Sequence, residues 1–223
     1  MGQPNCFTPL LACRLRIALL DDSGAPDAGA DALWVTDSLV RIGYSLVRSE
    51  GVKFEQKNGC GVICVQYQGA ARITGVNLTL ELCHLDFEGI ALATGASLVS
   101  EPGRTNIGTA LPAVDSDLTR RVSVEAWSLA WDGDEQATDS TGGSEPLYIR
   151  TIFPSVSWTE GDRTYEEGIT RIPLVGEGRS NANFGNGPGN DLPWGAYTSP
   201  KGEYLDDGAL PTATCGTSTL VAS

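Results

Sequence analysis

Val76-Asn77-Leu78-Thr79-Leu80-Glu81-Leu82 runs without a break into Cys83-His84-Leu85-Asp86-Phe87-Glu88-Gly89-Ile90-Ala91-Leu92-Ala93-Thr94-Gly95. The first seven residues alternate. Val76, Leu78, Leu80 and Leu82 share one face, while Asn77, Thr79 and Glu81 share the other, the period of a half-buried strand. The spacing then changes to that of a helix. Asp86 can accept the free N–H groups of a first turn, Phe87, Ile90, Ala91 and Thr94 lie on one stripe, and Gly95 can close the end in the left-handed conformation. Leu85 and Ile90 flank the cap as a hydrophobic staple would. This short helix is the one that the sequence predicts.

Upstream, Val40, Ile42, Tyr44 and Leu46 alternate with Arg41, Gly43 and Ser45, again a half-buried strand. After Glu50-Gly51 the alternation resumes at Val52 and Phe54. Asn58-Gly59 predicts a tight type I′ hairpin turn, because both central positions of that turn need positive φ. Residues 60–67 then return as a strand. The chain begins with an arm over residues 1–12 and an apolar strand over 15–20, followed by a Gly/Pro/Asp-rich loop over 21–31.

Downstream, residues 101–119 read as a loop. Residues 121–131 form a long strand whose apolar phase shifts midway, which implies a bulge or burial on both faces. Residues 132–146 are an acidic surface loop. Residues 148–158 form a strand that Pro154 places at a sheet edge or bulge, and 169–175 form a last strand. These patterns give a mainly β fold, a β-sandwich or barrel with one short flanking helix, extended hairpins and terminal arms. The β domain spans 1–175 and includes the N-terminal arm. Residues 176–223 form a Gly-rich C-terminal arm or extension, expected to be a disordered tail or to order only against a neighbour, because it offers little apolar surface to offset its entropy.

The chain has 223 residues and a formal net charge of −13. Such an acidic chain disfavours adhesive nucleic-acid binding, which needs clustered Lys and Arg, but it suits a surface past which a polyanion moves without sticking. Residues 1–6 show no basic segment followed by an apolar run, so the expectation is a soluble chain made in a cytoplasm, with no membrane partner and with Cys6, Cys13, Cys60, Cys64, Cys83 and Cys215 as reduced thiols.

No constellation in the sequence carries a recognisable chemistry. Cys60 and Cys64 point the same way along a strand but stand about 13 Å apart, too far to share one metal ion. His84, the single histidine, has no nucleophile signature beside it. The Gly-rich run lacks a phosphate-loop pattern, and Asp132-Gly133-Asp134-Glu135 lacks the spaced ligands of a calcium loop. Asn77-Leu78-Thr79 matches a glycosylation acceptor that has no meaning without export. Trp127, Trp131 and Trp158 read as core or interface residues. No catalytic, cofactor-binding or metal residues are assigned, no cofactor is expected, and the chain is read as no enzyme.

The succession of the 39–95 strands, then Asp86 through Leu92 to Thr94-Gly95, resembles the major tail tube protein of long-tailed (siphovirus-type) bacteriophages. The opening Leu10-Leu11-Ala12-Cys13-Arg14-Leu15-Arg16 is similar to the start of such proteins from phages of actinobacteria. The resemblance implies a structural virion subunit located in the tail and assembled in the host cytoplasm. Its copies would form hexameric rings that stack into a tube, with an acidic channel that conducts DNA during ejection. Its partners would be further copies of itself, the tape-measure protein and other tail proteins, with DNA passing through unbound. The alternatives are a tail terminator or distal tail protein, a β-sandwich module that binds carbohydrate or protein, and an enzyme dependent on Cys83 or His84.

Overall fold

The computed structural model describes residues 7–113, 115, 120–133, 135–138, 145–163, 171–192 and 199–220. Among the described residues thirteen strands and one helix follow one another: β1 (Thr8–Leu19), β2 (Leu33–Thr36), β3 (Leu39–Ser49), β4 (Lys53–Lys57), β5 (Ile63–Gln68), β6 (Arg72–Leu82), α1 (Phe87–Thr94), β7 (Ser97–Glu101), β8 (Arg104–Ala110), β9 (Val122–Asp132), β10 (Glu135–Gln136), β11 (Tyr148–Glu160), β12 (Ile172–Gly178) and β13 (Gly202–Asp206). The principal sheet is antiparallel and runs β2-β1-β9-β11-β12-β6-β3, with β10 attached to β9 and β13 to β11. β4–β5 and β7–β8 are separate two-stranded hairpins.

The sheet curls so that β1 returns against β3, although four strands lie between them in the path. The protein is therefore a mainly β sandwich whose two halves face each other. The core between them takes Leu15 and Ile17 from β1, Trp34 from β2, and Val76, Leu78, Leu80 and Leu82 from β6. Val122, Val124, Phe153, Val156, Trp158, Ile172 and Leu174 complete it from β9, β11 and β12. The alternation read in 76–82 is thus the alternation of the fold, with each leucine inside and Asn77 outside.

α1 closes one end. The Asp86 side chain accepts from Glu88 N at 3.1 Å and Gly89 N at 3.2 Å, and Gly95, at φ 77°, ends the helix by donating to Ala91 O. Both caps stand where the sequence placed them. Leu85 does not act as a buried staple: it is 48% exposed while Ile90 is fully buried.

Other expectations require correction. Residues 8–12 of the expected arm are already strand, paired with β9 from Thr8 onward, while residues 1–6 lie outside the described residues. The 101–119 loop contains β8 and the end of β7, a hairpin turning at Pro102-Gly103 with Gly103 at φ 81°. Punctuation by Pro and Gly marks a tight turn there rather than an extended loop. The turn after β4 is longer than a type I′ pair. Asn58 N–H donates to Val62 O at 2.8 Å, the Asn58 carboxamide accepts from Cys60 N and Val62 N, and positive φ falls at Gly61 rather than at Asn58 or Gly59.

Of the two readings offered for Pro154, the bulge holds. β11 is central, flanked by β9 on one side and by β13 and then β12 on the other, and its register against β9 shifts between Phe153 and Val156. β9 is buried along most of its length because both faces are covered: Val122, Val124 and Ala126 enter the core, and Glu125 and Trp127 lie under Arg16 and Arg150. The strand expected as the last, over 169–175, begins at Ile172 and runs to Gly178, and β13 follows it inside the Gly-rich extension; residues 169 and 170, and residues 134 and 139–144 of the acidic loop, lie outside the described residues.

The Gly-rich segment is docked on its own chain. Phe184 and Leu192 are buried in a small cluster with Leu20 and Ile152, against Tyr204. The Asn181 carboxamide donates to Gly24 O at 2.7 Å and to Pro154 O at 3.1 Å. Two apolar anchors and side-chain amides replace the continuous apolar face that the segment lacks.

Candidate functional site

Two features stand out from this frame, one buried and one exposed. Within the sandwich, Glu125 of β9 is fully buried and accepts from Arg16 Nε of β1 and from Arg150 Nη2 of β11, the latter at 2.7 Å. Arg150 also donates to Asp191 at 2.9 and 3.0 Å and to the Tyr204 hydroxyl at 2.6 Å. Its guanidinium lies 4.8 Å from the Trp127 ring centroid and 5.5 Å from that of Tyr204. Trp127 Nε1 in turn donates to Asp206 at 2.8 Å.

Burial alone would favour the neutral form of Arg150, but the Glu125 charge and the Asp191 hydrogen bonds outweigh it and raise its pKa. For Asp191 burial pushes upward, yet the hydrogen bond from Arg150 and its charge hold the carboxyl below its ordinary range. Burial raises the Tyr204 phenol. Chemically this constellation is a lock. It ties β1, β9, β11, β13 and the Gly-rich segment together with charge-assisted hydrogen bonds. No single segment of sequence reveals it, because its members come from five places along the chain.

The exposed feature is the extension of β3 and β6 into β4–β5. Gly51 and Gly69 meet backbone to backbone at its base, where Gly69 N–H donates to Val52 O at 2.9 Å and a Cβ on Gly51 would overlap Gly69. Beyond this pinch the hairpin pairs Phe54 with Tyr67 and Gln56 with Val65. One face therefore carries Val52, Phe54, Gln56, Val65 and Tyr67, and the other Lys53, Glu55 and Gln66, until a register shift after Gln56 sets Lys57 against Ile63. Neither face is covered: Phe54 is 50% exposed, Val65 50% and Tyr67 62%. Tyr44, Leu46 and Ile73 are further partly exposed apolar residues on β3 and β6. The half-buried face expected for 40–46 is thus left largely open.

The β3-to-β6 extension that carries the hairpin also differs in charge from the rest of the molecule. Residues 39–75 contain Arg41, Arg48, Lys53, Lys57 and Arg72 against Glu50 and Glu55, a net +3 in a chain of −13. Sequence reading recognised the strands but missed this reversal, which a count of charge by segment would have found.

The residues weighed for chemistry are scattered. Cys60 and Cys64 are exposed free thiols on the hairpin, Cys83 and His84 are exposed before α1, and Cys13 is half-buried. His84 and Cys215 line one cavity of about 580 Å³ between the first turn of α1 and the C-terminal segment. Among the described residues no cluster of three or more His, Cys, Asp or Glu is arranged to hold a metal ion, and no helix is long and apolar enough to cross a membrane. Compared with known proteins, the chain matches no family model and no curated protein.

Proposed function

We propose that the protein is a structural subunit of a phage tail tube, closing with other copies into rings that stack around a channel for DNA. The observation that carries this reading is the β4–β5 hairpin. A two-stranded hairpin is marginal alone in water, and this one holds an apolar face open beyond the body that supports it. An uncovered face of that kind marks an interaction site. The basic 39–75 extension, which carries this hairpin on an otherwise acidic chain, is matched electrostatically by the body of a second copy. The working parts in this reading are strand edges and arms, with the tape-measure protein and other tail proteins as further partners, and the acidic surplus keeps DNA from adhering.

Negative-stain electron microscopy of the concentrated protein tests it. Rings or tubes are expected from the native chain, and only dispersed monomers from a Phe54→Ser/Tyr67→Ser variant. A native chain that stays monomeric at the highest concentration overturns the reading, and one that stops at single rings points to a tail terminator or distal tail protein. The opposed aromatics Phe54 and Tyr67 also favour a second reading, a module that binds carbohydrate. Glycan-array binding lost in the same variant, with no assembly by the native chain, would replace the first reading with this one.

A further inference from the structure

β2 is an end strand of the principal sheet, paired with β1 on one side only. Its other edge would present free N–H and C=O groups, a template for any extended chain. Here the C-terminal segment occupies it. Leu33 N–H donates to Ser218 O at 3.0 Å, Ser218 N–H donates back to Leu33 O at 2.7 Å, and Thr214 N–H donates to Val35 O at 3.0 Å. Acidic side chains hold the same strap. Gly216 N–H donates to Asp86 at 2.9 Å, Thr217 N–H to Glu88 at 3.0 Å, and the Thr217 hydroxyl to Asp31 at 3.1 Å. The strap therefore docks through one main-chain donor and two main-chain acceptors on one short edge and through three carboxylates.

The connector to this strap is unlike the strap. Among the described residues, 207–213 make one hydrogen bond, from Gly208 N to Asp206 at 3.0 Å at the connector's own root. No strand or helix is assigned there, and Pro211 favours an extended path. Seven residues reach at most about 25 Å when extended. A neighbouring β2 within that reach offers the same bonds that the strap makes at home, so changing partner loses none of them.

We propose that the strap, Thr214–Ser218, is exchanged between copies, each chain's strap pairing with the β2 edge and the Asp31, Asp86 and Glu88 carboxylates of a second copy. The proposal rests on the reading that copies of this chain assemble, and it names a covalent continuity between them separate from the β4–β5 hairpin. Leu33 and Ser218 exchange both main-chain bonds, which places their Cα atoms about 5.5 Å apart, within reach of a disulfide. Two differently tagged chains, one Leu33→Cys and one Ser218→Cys, are mixed at the concentration used for microscopy and oxidised with diamide. A chain carrying both substitutions is oxidised in parallel.

Exchange predicts a disulfide-linked heterodimer of the two tags on a non-reducing gel, well above the homodimers of each variant alone. If the double variant closes within its own chain but the mixture gives no heterodimer, the strap stays at home and the proposal is wrong. A double variant that closes neither within nor between chains removes the strap's pairing with β2, and the proposal with it. The micrographs are a separate readout. Rings without the heterodimer remove only the exchange, and the heterodimer without rings removes only the tube.

Discussion

Around Arg150 the protein buries two guanidiniums and a carboxylate, and at β4–β5 it leaves Phe54, Val65 and Tyr67 in water. Each arrangement inverts the usual partition of polarity, and only the first is compensated within the chain. The buried charges find one another: Arg150 is 1% exposed and meets Glu125, Asp191 and Asp206 as ion pairs. The exposed apolar face is left at least half open by the described chain. The body is thus complete as a folded object while the hairpin is not, and assembly is the reading that supplies the hairpin's missing neighbour. If this contrast is sound, damage to the body should cost stability, and damage to the hairpin should cost association alone.

The largest effect is expected at Glu125. Glu125→Gln keeps the shape and removes the one fully buried carboxylate, leaving Arg16 with Asp191 alone and Arg150 with Asp191 and Asp206. Breaking a buried pair from one side costs about 3–5 kcal/mol. The guanidinium midpoint of the variant should fall accordingly, and a shift of less than about 1 kcal/mol would mean that water or Asp191 replaces Glu125 readily, contrary to the lock described.

Gly89→Ala comes next, and here two effects oppose each other. Within a helix alanine is favoured over glycine by at most about 1 kcal/mol, and Gly89 stands in the first turn of α1, where the gain is smaller. A Cβ on Gly89, however, would overlap the Trp34 indole, which is fully buried and donates to Asp86 at 3.0 Å. Overpacking of this kind costs about 1–3 kcal/mol, so the net effect should be a loss. A thermal midpoint that rises instead would show that Trp34 has room to move.

Acid should reveal the same lock more gently. The folded-state pKa of Asp191 lies below its ordinary 3.8 because Arg150 and Arg16 favour its ionised form. A depressed carboxyl contributes stability that is fully present above 3.8 and is lost as pH falls through its folded-state value. Its side chain is 48% exposed, so solvent screens the gain and the contribution is small. Asp191→Asn should flatten the decline in unfolding free energy below pH 3.8, measured by urea titration. An unchanged slope would place the acid sensitivity elsewhere.

How far the sequence could be read follows the same division. Residues 76–95 disclosed a strand, both helix caps and the stop, because period and capping are local properties of neighbouring residues. The β7–β8 hairpin was misread because Pro102-Gly103 marks a turn without giving the length of the strands beside it. The lock around Arg150 was not legible, since Arg16, Glu125, Arg150, Asp191 and Tyr204 meet only through strand order, which alternation does not encode. The docking of Phe184 and Leu192 was missed for a related reason: two isolated anchors among glycines show no period at all. The hairpin lay between these cases. Its strands were visible and its turn type was not, and its exposure depends on the body ending where it does.

The smallest expected change in stability is the one that tests the contrast from its other side. Phe54→Ser/Tyr67→Ser removes a cross-strand aromatic pair, which in isolation is worth about 0.2–1 kcal/mol to the hairpin. That loss is confined to a two-stranded element outside the principal sheet, so the unfolding midpoint of the body should move by no more than about 0.5 kcal/mol. Association should respond far more. Aromatic anchors dominate binding surfaces, and losing a central one commonly costs about 2 kcal/mol or more; repeated at every contact in a ring, this abolishes assembly. Sedimentation velocity beside a denaturant titration of the same two proteins separates the outcomes. If stability falls as far as assembly does, Phe54 and Tyr67 support the fold of the single chain, and the hairpin is part of the body after all.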